Sequence, residues 1–486
     1  MKFQYIIFFC ALLFYSATAY FSSGYIHPDE HYQIIEFAGI LNGSNTSKDM
    51  AWEYFAQIRP TIQPVICYLV FQACECISIF DPYSKAFILR LLTGFFAVGS
   101  IYYFTNSYKS SIPLNYWNAF LILSYFLWFL PFINVRFSSE TWSGLLLLLA
   151  IAIIKRSDSS YKTYLLLGIL LGGSFLFRFQ IAFAGIGLIL WLVIIQKESI
   201  LKIGTVLLSG SMILLLGFFI DSFFYGNWVI TPLEYFKVNL IQGKAAEFGT
   251  EPWYGYIVSI YRNASPIIAI FLYVTFIIVL LKKYNNIIIW AIVPFLIGHS
   301  IIAHKEVRFL FPLVNLIPII VIMAIEILSI ETWNRFVKSI VYVLLLIISL
   351  INIVALILAN TVSAGNGVAK ITNEIHKLKA DKLNVFYING WNPYYSWGLR
   401  TPFYEESNVT YITLESVVTN EIRIEHDHTT NVLVVHREDV DNLEVQKLIQ
   451  TLHLKETCKS VPDYMVSILD YYYYNTNHMY VMYAGQ

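Results

Sequence analysis

The chain has 486 residues, of which 57% are hydrophobic and 13% charged, with a mean hydropathy of +0.60. A soluble domain carries about 25% charged residues, so a water-soluble globule is excluded. Basic and acidic residues balance at 32 each, which leaves no net field to gather nucleic acid or anionic substrates, and specificity has to come from local clusters.

At the N-terminus, Lys2 precedes an apolar run to about Tyr20, followed by ATAYFSSG. This pattern fits a cleaved signal peptide or a first anchor helix, and its length favours the anchor. Further apolar stretches run near 62–80, 86–104, 114–134, 139–154, 163–176, 179–196, 203–222, 265–281, 287–303, 309–328 and 338–358. Together they predict about eleven or twelve helical spans. Lys and Arg concentrate in 155–162, 196–202, 282–286 and 331–338, which the positive-inside rule assigns to the cytoplasm. The loop 23–61, the region around Arg136, the connection 223–263, the turn 304–308 and everything after 359 then share the opposite side. Strict alternation through 62–134 conflicts with this assignment, so one apolar stretch there is expected to be re-entrant or not a true crossing.

After Asn360 the composition turns polar, with β-like runs at 384–388, 409–414 and 431–436 and a helical pattern over 441–454. The fold expected is mainly α, a polytopic transmembrane helical bundle over 1–359, with a small extramembrane α/β domain over 360–486. No internal repeat is evident. Cys67, Cys74 and Cys76 share one apolar stretch, Cys10 lies in the first segment, and Cys458 stands alone in the polar tail. They read as inert thiols rather than a disulfide framework or a metal site.

Candidate chemistry gathers at the ends of spans. In GYIHPDEHYQIIEFAGIL, Pro28 is followed by Asp29 and Glu30 and then by an apolar pattern at helical spacing. The two carboxylates therefore occupy a first helical turn, where the helix dipole favours the ionised form. They read either as a general base with its companion or as a charge pair without catalytic role. The segment 51–64 places Trp52, Glu53 and Arg59 before a membrane entry marked by Pro60 and Pro64, which by itself is an interfacial aromatic and a snorkelling arginine. Arg136, Glu140 and Arg178 stand at the outer ends of spans, where charges are costly unless paired or facing a wet cavity. The connection 221–263 is rich in Trp, Tyr, Gly and Pro, and reads equally as an ordered surface for sugar or lipid and as an aromatic belt. His304, Lys305 and Arg308 crowd one turn with Glu306. Such donors suit a phosphate or diphosphate head group, with a solvated turn as the alternative.

Five motifs in order, HPDEHYQ (27–33), WEY with Arg59-Pro60, the cluster from Arg136 to Glu140, DSFFYGNWVITPLEYFKVN with FGTEPWYGY (221–256), and HKEVRFLFPL (304–313), resemble glycosyltransferase family 22. These are the GT-C-fold mannosyltransferases of dolichol-linked oligosaccharides and GPI anchors, and the likeness is strongest to the GPI enzyme adding the third mannose. The tail segment 385–402 also resembles the family, although relatives carry Cys-His where this chain has Trp391-Asn392.

The resemblance implies an enzyme of the endoplasmic reticulum membrane, or of a bacterial inner membrane, with a non-cytoplasmic active site. Its donor is polyprenyl- or dolichyl-phosphate mannose and its acceptor a glycolipid hydroxyl; transfer inverts, and neither cofactor, metal nor nucleic acid takes part. Asp29 is then the general base and Glu30 orients the acceptor or the base. Arg59, Arg136, Glu140, Trp253, His304, Lys305 and Arg308 form the substrate-binding set, the cations stabilising the departing phosphate. Tyr254 and Trp228 join Trp253 as candidates for stacking on the sugar or packing the lipid.

The rival reading is a transporter or flippase of lipid-linked sugars, which places ionisable groups near the bilayer midplane; Glu75 and Glu326 are the residues to watch. A non-catalytic subunit fits the fold but not the retained Asp29 and HKE-x-R groups. Sequons at Asn42, Asn45, Asn263 and Asn408 all fall on the expected outer face.

Overall fold

The computed structural model describes residues 2–156, 159–329, 332–388, 390–396, 398–415, 429–471 and 475–485. Residues 157 and 158 of the basic loop 155–162, Glu331 of the segment 331–338, and Asn389 and Trp397 of the tail segment lie outside them.

All twelve expected apolar stretches contain helix, and fewer of these helices are long and apolar enough to cross by themselves. Among the described residues, five helices are long and apolar enough to span: Lys2–Phe21, Pro82–Tyr108, Ile200–Tyr225, Val307–Leu328 and Arg335–Asn360. A sixth span results if Pro266–Lys282 and Ile287–Ile301, bent by 118°, count as one. Apolar composition alone overstates crossing, because an α-helix rises only 1.5 Å per residue. The 15-residue helix Ile62–Cys76 therefore reaches about 22 Å against a hydrocarbon core of about 30 Å. The stretch 114–134 breaks at Leu127, whose extended backbone separates Leu114–Phe126 from Phe129–Asn134. Both interruptions lie in the region where strict alternation failed.

Two compact units divide the chain, and the division is not a single cut near residue 360. The first comprises Met1–Ala19, Ala56–Gln63 and Arg90–Ala359; the second comprises Tyr20–Phe55, Pro64–Leu89 and Asn360–Gln486.

In the helical unit, Tyr161–Phe177 packs along Ile200–Tyr225. Lipid tails are as apolar as leucine, so close backbone approach between small residues has to supply the attraction. Gly168 and Gly172 provide it: a Cβ on Gly168 would run into the Ser209 side chain and the Val206 carbonyl, and one on Gly172 would lie 2.9 Å from the Gly210 carbonyl oxygen. Buried polar groups are paired across helices. Asn134 and Asn315 exchange amide hydrogen bonds of 2.9 Å, and the Tyr15 hydroxyl donates to the Tyr125 carbonyl at 3.2 Å. Asp221, 3% exposed at the end of its long helix, accepts from the Thr61 amide and hydroxyl at 2.7 Å each and from the Thr231 hydroxyl. One carboxylate thereby ties the segment after Arg59 and the start of the aromatic connection to the same helix end.

In the second unit, residues 383–484 form a five-stranded mixed sheet. Its strands are β1 (Leu383–Tyr387), β4 (Val409–Thr413), β5 (Thr430–His436), β6 (Lys455–Lys459) and β7 (Tyr480–Ala484), in the order β4-β1-β5-β7-β6; β2 (Tyr395–Ser396) and β3 (Leu399–Arg400) make a separate ribbon. Strand β1 runs parallel to β4 and β5, while β7 runs antiparallel to β5 and β6. Side chains alternate across a strand. Val385, Val432 and Val434 accordingly pack against Val368, Ile371 and Ile375 of the helix Val368–His376, and Phe386, Leu433 and Val435 pack against Val445 and Leu448 of the helix Leu443–Thr451. The β-like runs and the helix expected here are present. Strands β6 and β7 escaped the sequence reading, β6 because KETCK is mostly polar. The first loop joins this unit directly: the Ala364 amide donates to the Ser23 carbonyl at 2.8 Å.

Gly168→Val forces the two packed helices apart. Thermal unfolding in detergent is expected to show a loss of about 1–3 kcal/mol, whereas Gly204→Ala on the same helix pair, where an added Cβ meets nothing within 4 Å, leaves stability equal or slightly higher.

Candidate active site

Asp29 and Glu30 lie in the one-turn helix Pro28–His31, as the sequence suggested. Pro28 begins the helix, where no amide hydrogen is needed, and the His27 ring caps it by accepting from the Asp29 amide at 3.2 Å. The same ring nitrogen stands 3.4 Å from the Asp29 carboxylate, whose side chain is 23% exposed.

Behind these carboxylates the chain enters a π-type turn, Tyr32–Glu36. Such a turn bonds residue i to i+5, and it aligns side chains five apart that a regular helix would splay. His31 and Glu36 are such a pair: His31 Nε2 lies 2.6 Å from Glu36 Oε1, and both residues are 1% exposed. Glu36 also accepts from Asn45 Nδ2 at 2.6 Å and from the Phe403 amide at 3.3 Å. The His31 ring is stacked between Tyr25 and Tyr404. Burial first, with the nearby Glu36 and Glu30 charges adding to it, pushes the Tyr25 phenol up to about 12, so it stays a neutral donor. Tyr32 donates to the Leu399 carbonyl at 2.6 Å, and Gln33 to Glu53 at 3.0 Å. The HPDEHYQ loop is thus clamped by residues 399–404 of its own unit.

In the helical unit the charges group around two carboxylates. Glu140, 3% exposed, accepts from Arg178 Nη1 at 2.7 Å and has Arg308 Nη1 at 3.5 Å. Glu306 holds Arg308 Nε and, at 2.9 Å, His304 Nε2. Both guanidinium groups also face the Phe309 ring, at 4.7 and 5.3 Å from its centroid. Lys305 is engaged differently: its ammonium donates to the Ile302 and Glu251 carbonyls at 2.6 and 3.1 Å. Its burial holds it below the usual lysine range, partly offset by the Glu251 charge. The HKE-x-R turn is braced by Glu306 and by backbone carbonyls. Lys305 serves to pin the 249–252 end of the aromatic connection, where Glu251 N donates to the Ala303 carbonyl at 2.9 Å.

The remaining candidates of the helical unit lie elsewhere in it. Arg136 is 1% exposed, its guanidinium 4.9 Å over the Phe132 ring. Arg59 is half-buried, and its carbonyl accepts from the Tyr225 hydroxyl at 2.9 Å. Trp253 is 71% and Trp228 77% exposed, surfaces open to lipid or ligand. Glu75, in the second unit, and Glu326, in the helical unit, sit at helix ends with lysine partners, Lys85 and Lys283, each at 2.7 Å, which weakens the transporter reading.

Three residues of evident weight were not singled out by the sequence reading: His31, Glu36 and Asp221. The signal for Glu36 is a lone carboxylate inside IIEFAGIL, which has to be paired if it is buried. Arg178 stands at a span end with Glu140 at the start of another, and pairing them requires knowing that the two ends meet.

A family model described as the Alg9-like mannosyltransferase family matches residues 5–398. The chain is 26% identical over 322 residues to the mannosyltransferase APTG1 of Arabidopsis thaliana, covering 63% of this chain and 56% of that one. It is 26% identical over 341 residues to GPI mannosyltransferase 3 of Yarrowia lipolytica, covering 68% and 63%. The matched stretch thus spans less than two thirds of either relative. Among solved structures, ArnT of Cupriavidus metallidurans, crystallised with undecaprenyl phosphate, superposes with a TM-score of 0.55 at 10% identity, covering 99% of this chain and 97% of that one. The architecture is therefore the GT-C-like transmembrane bundle with a small C-terminal sheet region.

Glu140→Gln leaves two guanidinium groups facing an uncharged amide in a buried setting. Chemical or thermal unfolding in detergent is expected to show a loss of about 3 kcal/mol, while Lys244→Ala, which removes an exposed pair with Glu247, changes stability by less than about 1 kcal/mol.

Proposed function

The chain belongs to the Alg9-like mannosyltransferase family, and from that membership we infer that this multi-pass membrane protein transfers mannose from a polyprenyl- or dolichyl-phosphate mannose to a hydroxyl of a glycolipid acceptor, with inversion. The name of the Yarrowia relative supports a GPI-type acceptor, and the undecaprenyl phosphate of the ArnT structure supports a lipid phosphate as the leaving group.

One observation carries the assignment of the base: Asp29 is partly exposed at the head of a loop whose next turn is locked by the buried His31–Glu36 pair. A general base has to be held in place yet be reachable, and this carboxylate satisfies both. The acceptor oxygen attacks the anomeric carbon and yields its proton to Asp29. A new carbon–oxygen bond forms as the bond to the phosphate oxygen breaks, and that oxygen keeps the electron pair. Glu30 orients the acceptor or the base. Within the helical unit, Arg308 and Arg178, with Arg59, Arg136, His304 and Lys305, are the candidates for offsetting phosphate charge. Glu140 sets the posture of the two guanidinium groups, and Trp253 offers an aromatic face to sugar or lipid.

The basic loops support an active site on the non-cytoplasmic side, in the endoplasmic reticulum of a eukaryote or the inner membrane of a bacterium. In the endoplasmic reticulum, sequon use reports this orientation. Asn42 and Asn263 are exposed, whereas Asn45 is 7% exposed and spends its amide on Glu36. Expression with microsomes is expected to attach glycans at Asn42 and Asn263, seen as gel shifts lost in Asn42→Gln and Asn263→Gln, and none at Asn45. Absence of any glycan there would place these loops on the cytoplasmic side.

Purified wild type is expected to move radiolabelled mannose from the lipid-phosphate donor to a glycolipid in a lipid extract, and Asp29→Asn to be slower by about 10² or more. Retained activity in Asp29→Asn removes it as the base. A wild type that binds the donor but labels no acceptor overturns the transferase reading in favour of a carrier.

A further inference from the structure

We propose that His436, Glu438 and His478 form a zinc-binding site at one end of the C-terminal sheet. Strand β5 ends at His436, which pairs in register with Tyr480 of the antiparallel β7. The pairing continues past the strand ends: the Arg437 amide donates to the Met479 carbonyl at 2.8 Å and the Glu438 amide to the Asn477 carbonyl at 3.3 Å. This brings residues distant in sequence to one end of the ladder. One ligand atom from each of the three side chains lies within 4.8 Å of the others, and His478 Nδ1 stands 3.4 Å from Glu438 Oε1.

The second observation is His436 itself. It is 1% exposed, and neither ring nitrogen has a hydrogen-bond partner among the described residues. An imidazole carries a donor and an acceptor when neutral, and each buried polar atom left unmade costs about 1–3 kcal/mol. A histidine buried in this way needs a ligand for at least one nitrogen. Around it, the Trp391 and Tyr480 rings lie 4.3 and 4.5 Å away by centroid, and the His478 ring 5.3 Å away.

Two imidazoles and a carboxylate are a donor set that zinc accepts, usually with water in the fourth position. Zinc–nitrogen bonds are about 2.0–2.1 Å, so the three ligand atoms have to draw together. The His478 and Glu438 side chains, 48% and 40% exposed, can swing inward, while the buried His436 stays fixed. Arg437 holds the scaffold from outside, donating to Thr476 at 2.8 Å and Asp470 at 3.2 Å. The metal would cross-link the end of β5 to the segment leading into β7, a structural role separate from mannose transfer.

The test uses the full-length protein in detergent, without a polyhistidine tag, stripped with a chelator and titrated with zinc chloride by calorimetry and by thermal unfolding. Wild type is expected to take up one zinc ion per chain and to unfold at a higher temperature with zinc. His478→Ala and Glu438→Gln are expected to weaken binding about tenfold or more and to leave the metal-free unfolding temperature unchanged, since both side chains are well exposed. No zinc uptake by wild type, as would follow if water satisfies His436, overturns the proposal; so does equal uptake by wild type and both variants.

Discussion

A carboxylate removed from water has to find cations or hydrogen-bond donors, because the cost of an unpaired buried charge exceeds what packing returns. Glu36, Glu140 and Asp221, all 3% exposed or less, meet this demand in three ways. Glu36 takes an imidazole, a side-chain amide and a backbone amide; Glu140 takes guanidinium groups; Asp221 takes two hydroxyls and a backbone amide. Each draws together segments far apart in sequence, and the loops that carry chemistry are held through them.

For the chemistry, this arrangement changes the meaning of the positive charge. The cations of the helical unit are already engaged by Glu140, Glu306 and backbone carbonyls. In the proposed transfer, a phosphate would compete with these fixed partners. Guanidinium groups held at defined angles stabilise a developing charge with little reorganisation, the quality that electrostatic catalysis draws on. Lys305 also closes the aromatic connection, since its ammonium donates to the Glu251 and Ile302 carbonyls.

The C-terminal residues are not an appendage to the loop that bears Asp29 and Glu30. Leu399, Phe403 and Tyr404 contact Tyr32, Glu36 and His31 directly, so the helical turn bearing Asp29 depends on chain synthesised several hundred residues later. The mixed sheet supplies the rigid base from which that clamp projects, its two faces covered by one helix each.

Composition and apolar runs by themselves determined the solvent, the helical class, the position of the apolar helices and the polar sequence after Asn360, because bilayer burial is a property of local hydropathy. Short motifs marked Asp29, Glu140 and the HKE-x-R turn, since proline, carboxylates and clustered cations at a span end are unusual enough to stand out. What only the tertiary structure decided was pairing and length. Helix breaks at Leu127 and Cys76 shortened two of the apolar stretches, a π-type turn set His31 against Glu36, and Glu140 met Arg178 and Arg308. The strand ladder likewise brought His436 beside His478. These are long-range contacts between residues whose local sequence carries no record of the partner, so no reading of one segment at a time reaches them.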